Sequence, residues 1–359
     1  MRRRWKVFLG ALGLTLAAAA APVIYIETAC TDPLPGIQAN RPYRSLLPSA
    51  EGRREEARTF LTFPEWYIVH SADSLGRYLE RGRPSGFSWF GEVGGYWTSY
   101  CALNRAAAGS QAGADAKIML YTIGISFSAE MLVKGAYENT WGRAFEWIGG
   151  ASSGSDRHAT RVQQRYGAFM HETPWYSFGF GDALAGLWAT PTSGNAVRHW
   201  ERRFALSAEY GFKALYAAAI GWASGATLGR DERSLRFVAR AAPETVAAVD
   251  PRLRPVARLP GGRTAVEAPR YAQFTDLLGR LAASGVGLVE IAGNDDIFVT
   301  FLAPAGRPAP AGTVRLLEQQ LDDRPGWRRV GVAVRVDRLL PLIRAVRASG
   351  AELEHVYDY

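Results

Sequence analysis

From Val7 to Ile26 the chain carries no charged side chain, and Arg2, Arg3, Arg4 and Lys6 stand just ahead of that run. Twenty residues in a helix cover about 30 Å, the hydrocarbon thickness of a bilayer. The pattern predicts a transmembrane anchor over 7–26, a signal-anchor whose basic flank (1–6) stays cytoplasmic and whose remainder emerges on the periplasmic side. A cleaved signal peptide competes, because Ala17–Ala21 offers small residues. Against it, the apolar run continues past Pro22 through Ile26, longer than a signal core needs. Residues 27–56 hold Pro33, Pro35, Pro42 and Pro48 and predict a linker, with folded sequence from about Ala57.

Two further stretches are nearly free of charge. Ile118–Tyr137 contains only Glu130 and Lys134, and Phe204–Gly229 only Glu209 and Lys213. Both carry the motif S-A-E-x3-K-x2-Y, from Ser128 and from Ser207. Glu, Lys and Tyr at i, i+4 and i+7 share one helix face. The region 57–229 therefore predicts an aromatic-rich, mainly helical domain with a repeated helix pair (118–137, 204–229). In an antiparallel hairpin Glu130 would face Lys213 and Lys134 would face Glu209. Three readings stay open: ordinary surface pairs on core helices, a hairpin in or on a membrane, and a functional charge cluster.

Residues 230–265 contain four prolines and Gly261-Gly262 and predict a second linker. Beyond it, 266–359 predicts a small α/β domain. Phe274–Ser284 reads as a helix stopped by Gly285, then Val286–Ala292 and Ile297–Leu302 as a hairpin around Gly293–Asp296. Thr313–Leu321 reads as a helix, Arg329–Val336 as a strand, Asp337–Ser349 as a helix and Glu352–Tyr357 as a last strand. A helix, an Ala-Ser-Gly stop and a strand occur twice, at Ala283-Ser284-Gly285 and Ala348-Ser349-Gly350. Two such halves around one sheet predict a ferredoxin-like sandwich. The fold class is α+β.

Composition narrows the classes. The chain has 359 residues, 48% hydrophobic and 21% charged, which suits globular domains rather than a bundle of spanning helices. Net charge is +8, but past Arg2–Lys6 the basic residues are spread out and mixed with acids, so nucleic acid is not an expected partner. The expected partners are membrane lipid and another envelope protein. Cys30 and Cys101 have no metal-ligand spacing; they read as two unpaired thiols, with pairing open in an oxidising compartment.

Candidate chemistry is sparse. Phe63-Pro64-Glu65-Trp66-Tyr67 is echoed by Thr173-Pro174-Trp175-Tyr176, and Trp97 and Glu92 sit in a third aromatic cluster. Glu65, Trp66, Tyr67, Glu92, Trp97, Trp175 and Tyr176 are candidates for a glycan or lipid-headgroup groove, against the alternative of a Trp-rich core. An enzyme acting on a lipid-linked or glycan substrate would draw on Glu65, Glu92 or His70. None of the five histidines forms H-E-x-x-H, no G-x-S-x-G elbow is present, and no metal or cofactor is expected.

At Thr62-Phe63-Pro64-Glu65-Trp66-Tyr67, at Lys134–Thr140, at Pro174-Trp175-Tyr176 and at the closing Glu-His-Val-Tyr-Asp-Tyr, the chain resembles uncharacterised membrane-anchored proteins of Gram-negative bacteria. The resemblance implies a cell-envelope setting over nearly the whole length past the anchor, and no activity. The expectation is a binding or assembly module at the inner membrane surface. A three-pass protein with an intramembrane Glu/Lys cluster is the remaining alternative.

Overall fold

The computed structural model describes residues 2–35, 37, 43–49, 52–53, 60–108, 114–224 and 234–357. It is an α+β protein in which a helical region precedes a region of mixed strands and helices. The helices are α1 (Arg2–Ala29), α2 (Phe63–Tyr78), α3 (Trp89–Ala106), α4 (Ala114–Tyr137), α5 (Arg143–Gly149), α6 (Gly154–Met170), α7 (Phe180–Ala189) and α8 (Ala196–Ser224). A π-helical turn, Glu138–Gly142, joins α4 to α5. The joined helix Lys117–Gly149 is long and apolar enough to cross a membrane; in α1 the apolar stretch Ala17–Ala29 is shorter.

The strand region runs from Ser234, not from 266. The segment read as a second linker holds β1 (Ser234–Arg240), α9 (Pro243–Ala247) and β2 (Arg254–Leu259), and leads into β3 (Arg263–Pro269). Its prolines and glycines are punctuation inside a sheet. Pro243 opens α9. Pro255 lies in β2, an edge strand, where the register shifts, a place that tolerates a missing N–H. Gly261 and Gly262, both at positive φ, turn β2 into β3.

The chain continues with α10 (Ala272–Ser284), β4 (Gly287–Ile291), β5 (Asp296–Pro304), β6 (Val314–Gln320), β7 (Trp327–Arg335), α11 (Val336–Ala348) and β8 (Glu352–Tyr357). The repeat seen in the sequence is the α–strand end of a larger β-β-β-α-β unit that occurs twice. Each copy makes its own four-stranded antiparallel sheet, ordered β2-β3-β1-β4 and β6-β7-β5-β8. One ferredoxin-like sheet is thus replaced by two sheets. The predicted hairpin at Gly293 is instead the hand-over between them: β4 closes the first sheet and β5 opens the second. Thr313–Leu321 is strand β6, not a helix. A register shift between Arg315 and Leu317 breaks the alternation that marks a strand.

Periodicity explains α10 and α11. Phe274, Leu277, Leu278 and Leu281 make one buried face of α10, and Leu339, Leu340, Ile343 and Val346 one of α11. Both faces share a single core with inward residues of both sheets, among them Phe237, Val266, Val299 and Val332. The second sheet is covered on its other face too: Phe298, Ala333 and Tyr357 belong to the core built by α2, α3 and α4.

The first sheet's outer face is covered by residues 43–49, part of the predicted linker. Leu47 packs on Val238 and Ala265. The buried Glu290 carboxylate of β4 accepts bonds from Tyr43 Oη, Ser45 Oγ and the backbone N–H groups of Leu46 and Leu47. Four donors on one carboxylate offset its desolvation.

Cys30 and Cys101 form a disulfide, with Cα atoms 5.1 Å apart. This corrects the reading of two unpaired thiols: at a sequence separation of 71, their spacing says nothing about approach. The helices bring them together. Asn104 Nδ2 donates to Cys30 O at 2.9 Å, and Lys117 Nζ reaches Glu27 at 2.8 Å.

Candidate functional site

Two features of the molecule depart from ordinary packing: a buried polar seam where α2 meets the second sheet, and the surface of the long helices.

Pro64 sits in the first turn of α2, where its missing N–H costs nothing. Trp66 and His70 follow one turn apart and point at β8. Trp66 stacks on His355 with ring centroids 3.7 Å apart. His70 Nε2 lies 3.0 Å from Tyr357 Oη, which is also 3.0 Å from Thr300 Oγ1 of β5. Arg329 of β7 reaches past β5 to Glu354 of β8, its Nε and Nη2 donating at 2.7 and 2.9 Å. His355 Nδ1 is 3.4 Å from Thr275 Oγ1, and its buried Nε2 has no hydrogen-bond partner.

Burial sets the protonation here. It pushes His70 down to about 3, so the 3.7 Å approach of His70 Nδ1 to Glu354 is that of a neutral ring. Burial likewise holds His355 well below the usual histidine range. For Glu354 burial acts upward, but the Arg329 guanidinium, His70 and hydrogen bonds more than offset it and hold the carboxyl at about 2. His171 moves the other way. Its Nε2 donates to Asp73 at 2.6 Å, and that bond raises its pKa against the effect of burial.

Of the groove candidates, Trp66, Tyr67 and Trp97 are buried members of the helical core. Glu92 is bonded to Ser71 and Tyr67, and burial raises its pKa. Trp97 Nε1 donates to Ser128 Oγ at 2.9 Å. Glu65 is half-buried on α2. Trp175 and Tyr176 are half-buried in a single turn before α7, where Trp175 packs against Phe180 and Tyr216. The set therefore splits between two cores rather than lining one open groove. His70 is also buried. The sequence reading missed Arg329, Glu354, His355 and Tyr357 as partners of α2. The available signal was that Phe63–Tyr67 and Glu354–Tyr357 both carry the resemblance; the structure sets them against each other. Asp358 and Tyr359 lie outside the described residues.

Lys134 bridges Glu130 and Glu209 at 2.9 and 2.7 Å, and Lys213 lies 2.8 Å from Glu130. These are the cross-pairs an antiparallel hairpin predicts. A second network nearby was not foreseen. Arg198, fully buried, contacts Asp156 at 3.0 Å and Glu201 at 2.9 Å, with Glu146 at 3.5 Å. Arg202 meets Glu138 at 2.6 Å. Glu146 also takes bonds from the backbone N–H and hydroxyl of Ser85.

These charges sit on the protein-facing side of their helices. All six charged side chains of α8 (Arg198, Glu201, Arg202, Arg203, Glu209 and Lys213) are buried or half-buried, while Trp200, Phe204, Phe212 and Leu215 are exposed. The α4 face is arranged alike. Between Ile118 and Gly142 the exposed positions include Ile118, Met119, Leu132, Val133 and Trp141 and no charged residue. That face extends about 36 Å. Trp147 is 88% exposed just beyond it. Both helices are amphipathic with the polar side inward, the reverse of a water-soluble helix.

No protein-family model matches the chain, and neither a curated protein nor a solved structure matches it.

Proposed function

We propose that this is a membrane-anchored envelope protein whose helical region rests its outward faces in lipid and whose paired sheets form a binding or assembly module beside that surface. One observation carries the reading: the reversed amphipathicity of α4 and α8. An uncharged, aromatic-rich exposed face of this extent is costly in water and favourable against acyl chains. Trp141, Trp147 and Trp200, exposed at neighbouring ends of the long helices, and Trp188, exposed at the end of α7, suit the aromatic belt at a membrane–water boundary. The anchor and the lipid-facing helix are joined at Glu27–Lys117 and by Cys30–Cys101 to α3. A disulfide there agrees with an oxidising, periplasmic side. The Glu130–Lys134–Glu209–Lys213 set is balanced in charge and turned inward, so it acts as a clamp between helices rather than an ion path.

The test is accessibility. Val133→Cys and Leu215→Cys in the full-length protein, in native membranes, should resist an impermeant maleimide and react once detergent is added. Ready labelling of both before detergent would overturn the reading.

A further inference from the structure

Beside Trp147 lies an open hollow of about 520 Å³, lined by Tyr78, Arg81, Arg83, Ser85, Arg143 and Glu146 among others. Three guanidinium groups border it. Among the described residues, no ion pair joins Arg81, Arg83 or Arg143 to a carboxylate. Arg143 is held in place by neutral acceptors, Ser85 O at 3.1 Å and Asn139 Oδ1 at 3.3 Å. Its fork therefore keeps donors to spare. Glu146, the acidic lining residue, is buried, its oxygens engaged by Ser85 and Arg198. Three exposed arginines thus stand at the hollow against one buried, paired carboxylate.

Its position gives that charge a meaning. Arg143 is the first exposed charged residue after the uncharged face of α4, and Trp147 follows one turn later. Exposed arginine beside exposed tryptophan at the end of an apolar face marks the headgroup level of a bilayer.

We propose that this hollow seats the phosphate of an anionic phospholipid, with Arg143 as the fixed fork, Arg81 and Arg83 closing on it from the end of α2, and Trp147 at the glycerol level. The proposal rests on the lipid-facing reading of α4 and names the headgroup chemistry that reading leaves open.

The test uses full-length protein reconstituted in phosphatidylcholine vesicles doped with brominated phosphatidylglycerol or, separately, brominated phosphatidylcholine. The emission lost in Trp147→Phe isolates the Trp147 signal. Brominated phosphatidylglycerol should quench that signal more strongly than brominated phosphatidylcholine. Arg81→Gln and Arg83→Gln, which leave Arg143 in place, should each lower the preference by about fivefold. Arg161→Gln/Arg165→Gln, removing twice the charge elsewhere, should leave it unchanged. Equal quenching by both lipids overturns the headgroup seat while keeping the lipid-facing reading. No quenching by either overturns the lipid-facing reading itself. Loss of preference in the Arg161/Arg165 variant overturns the seat in favour of general surface charge. Abolition of the preference by inorganic phosphate in the aqueous phase overturns the lipid as occupant in favour of free phosphate.

Discussion

Helices α8 and α10 obey opposite rules within one chain. In α10 the leucines are buried and Asp276 and Arg280 stand in solvent. In α8 the arginines are buried and Phe212 and Leu215 stand outside. In the sheet region the charged side chains of α10 and α11 face outward, and in the helical region those of α8 face inward. Hydrophobic burial holds the first together, whereas in the second buried charge networks take over part of the interior. The difference teaches that an amphipathic helix gives its two faces but not the solvent each one meets.

The sharpest way to break this comparison is at Arg198. Arg198→Ala removes the cation shared by Asp156, Glu201 and Glu146 and should cost about 3–5 kcal/mol, measured by denaturant unfolding in detergent. A loss below about 1 kcal/mol would mean that water reaches the network and that the helical interior is not dry.

The disulfide comes next. Replacing Cys30 and Cys101 by Ala releases a long loop and should lower stability by up to about 4 kcal/mol in the chain-entropy account. The loss should appear as a lower thermal midpoint in non-reducing buffer. An unchanged midpoint would show that the end of α1 is held by packing alone.

A third measurement probes the seam joining the two regions. The folded pKa of His70 is about 3, below its ordinary 6.5. Below pH 6.5 the unfolded chain takes up a proton that the folded chain refuses, so the stabilisation is complete above pH 6.5 and is lost as pH falls toward 3. The contribution is about 3 kcal/mol between pH 6.5 and 4.5. His355 adds to this slope, His171 opposes it, and Glu354 adds its own loss below 4.5, toward 2. His70→Gln should flatten stability against pH in the upper window. An unaltered slope would place the acid sensitivity elsewhere.

The smallest effect is the most diagnostic. Leu215→Ser should change detergent-solubilised stability by no more than about 0.5 kcal/mol, whereas Leu277→Ser in α10 should cost several times that. Comparable losses would mean that Leu215 is covered by protein.

Much of the strand region was legible because its signals are local. The apolar spacing from Phe274 and the left-handed Gly285 mark α10, and the duplicated Ala-Ser-Gly stop marks the second copy. β1 to β3 were hidden because Pro255 and Gly261-Gly262 look alike in a linker and at a sheet edge. β6 was hidden by its register shift, and the hand-over at Gly293 uses the turn chemistry of a hairpin. In the helical region the register of Glu130, Lys134, Glu209 and Lys213 could be read from spacing. The direction those charges face could not, since a helical period is the same in water and in lipid. The seam was out of reach for another reason: His70 and Tyr357 are 287 residues apart.

The bonds around Glu290 have a mechanical consequence. Between Cys30, pinned to Cys101, and Tyr43, held on Glu290, the chain can stretch no further than about 45 Å. A pull on the first helix is therefore taken up at Cys101 first, and only what passes through the intervening chain reaches Tyr43 and the Glu290 carboxylate. Glu290→Gln would weaken that fastening without removing a single apolar contact, leaving a tether that yields at lower force.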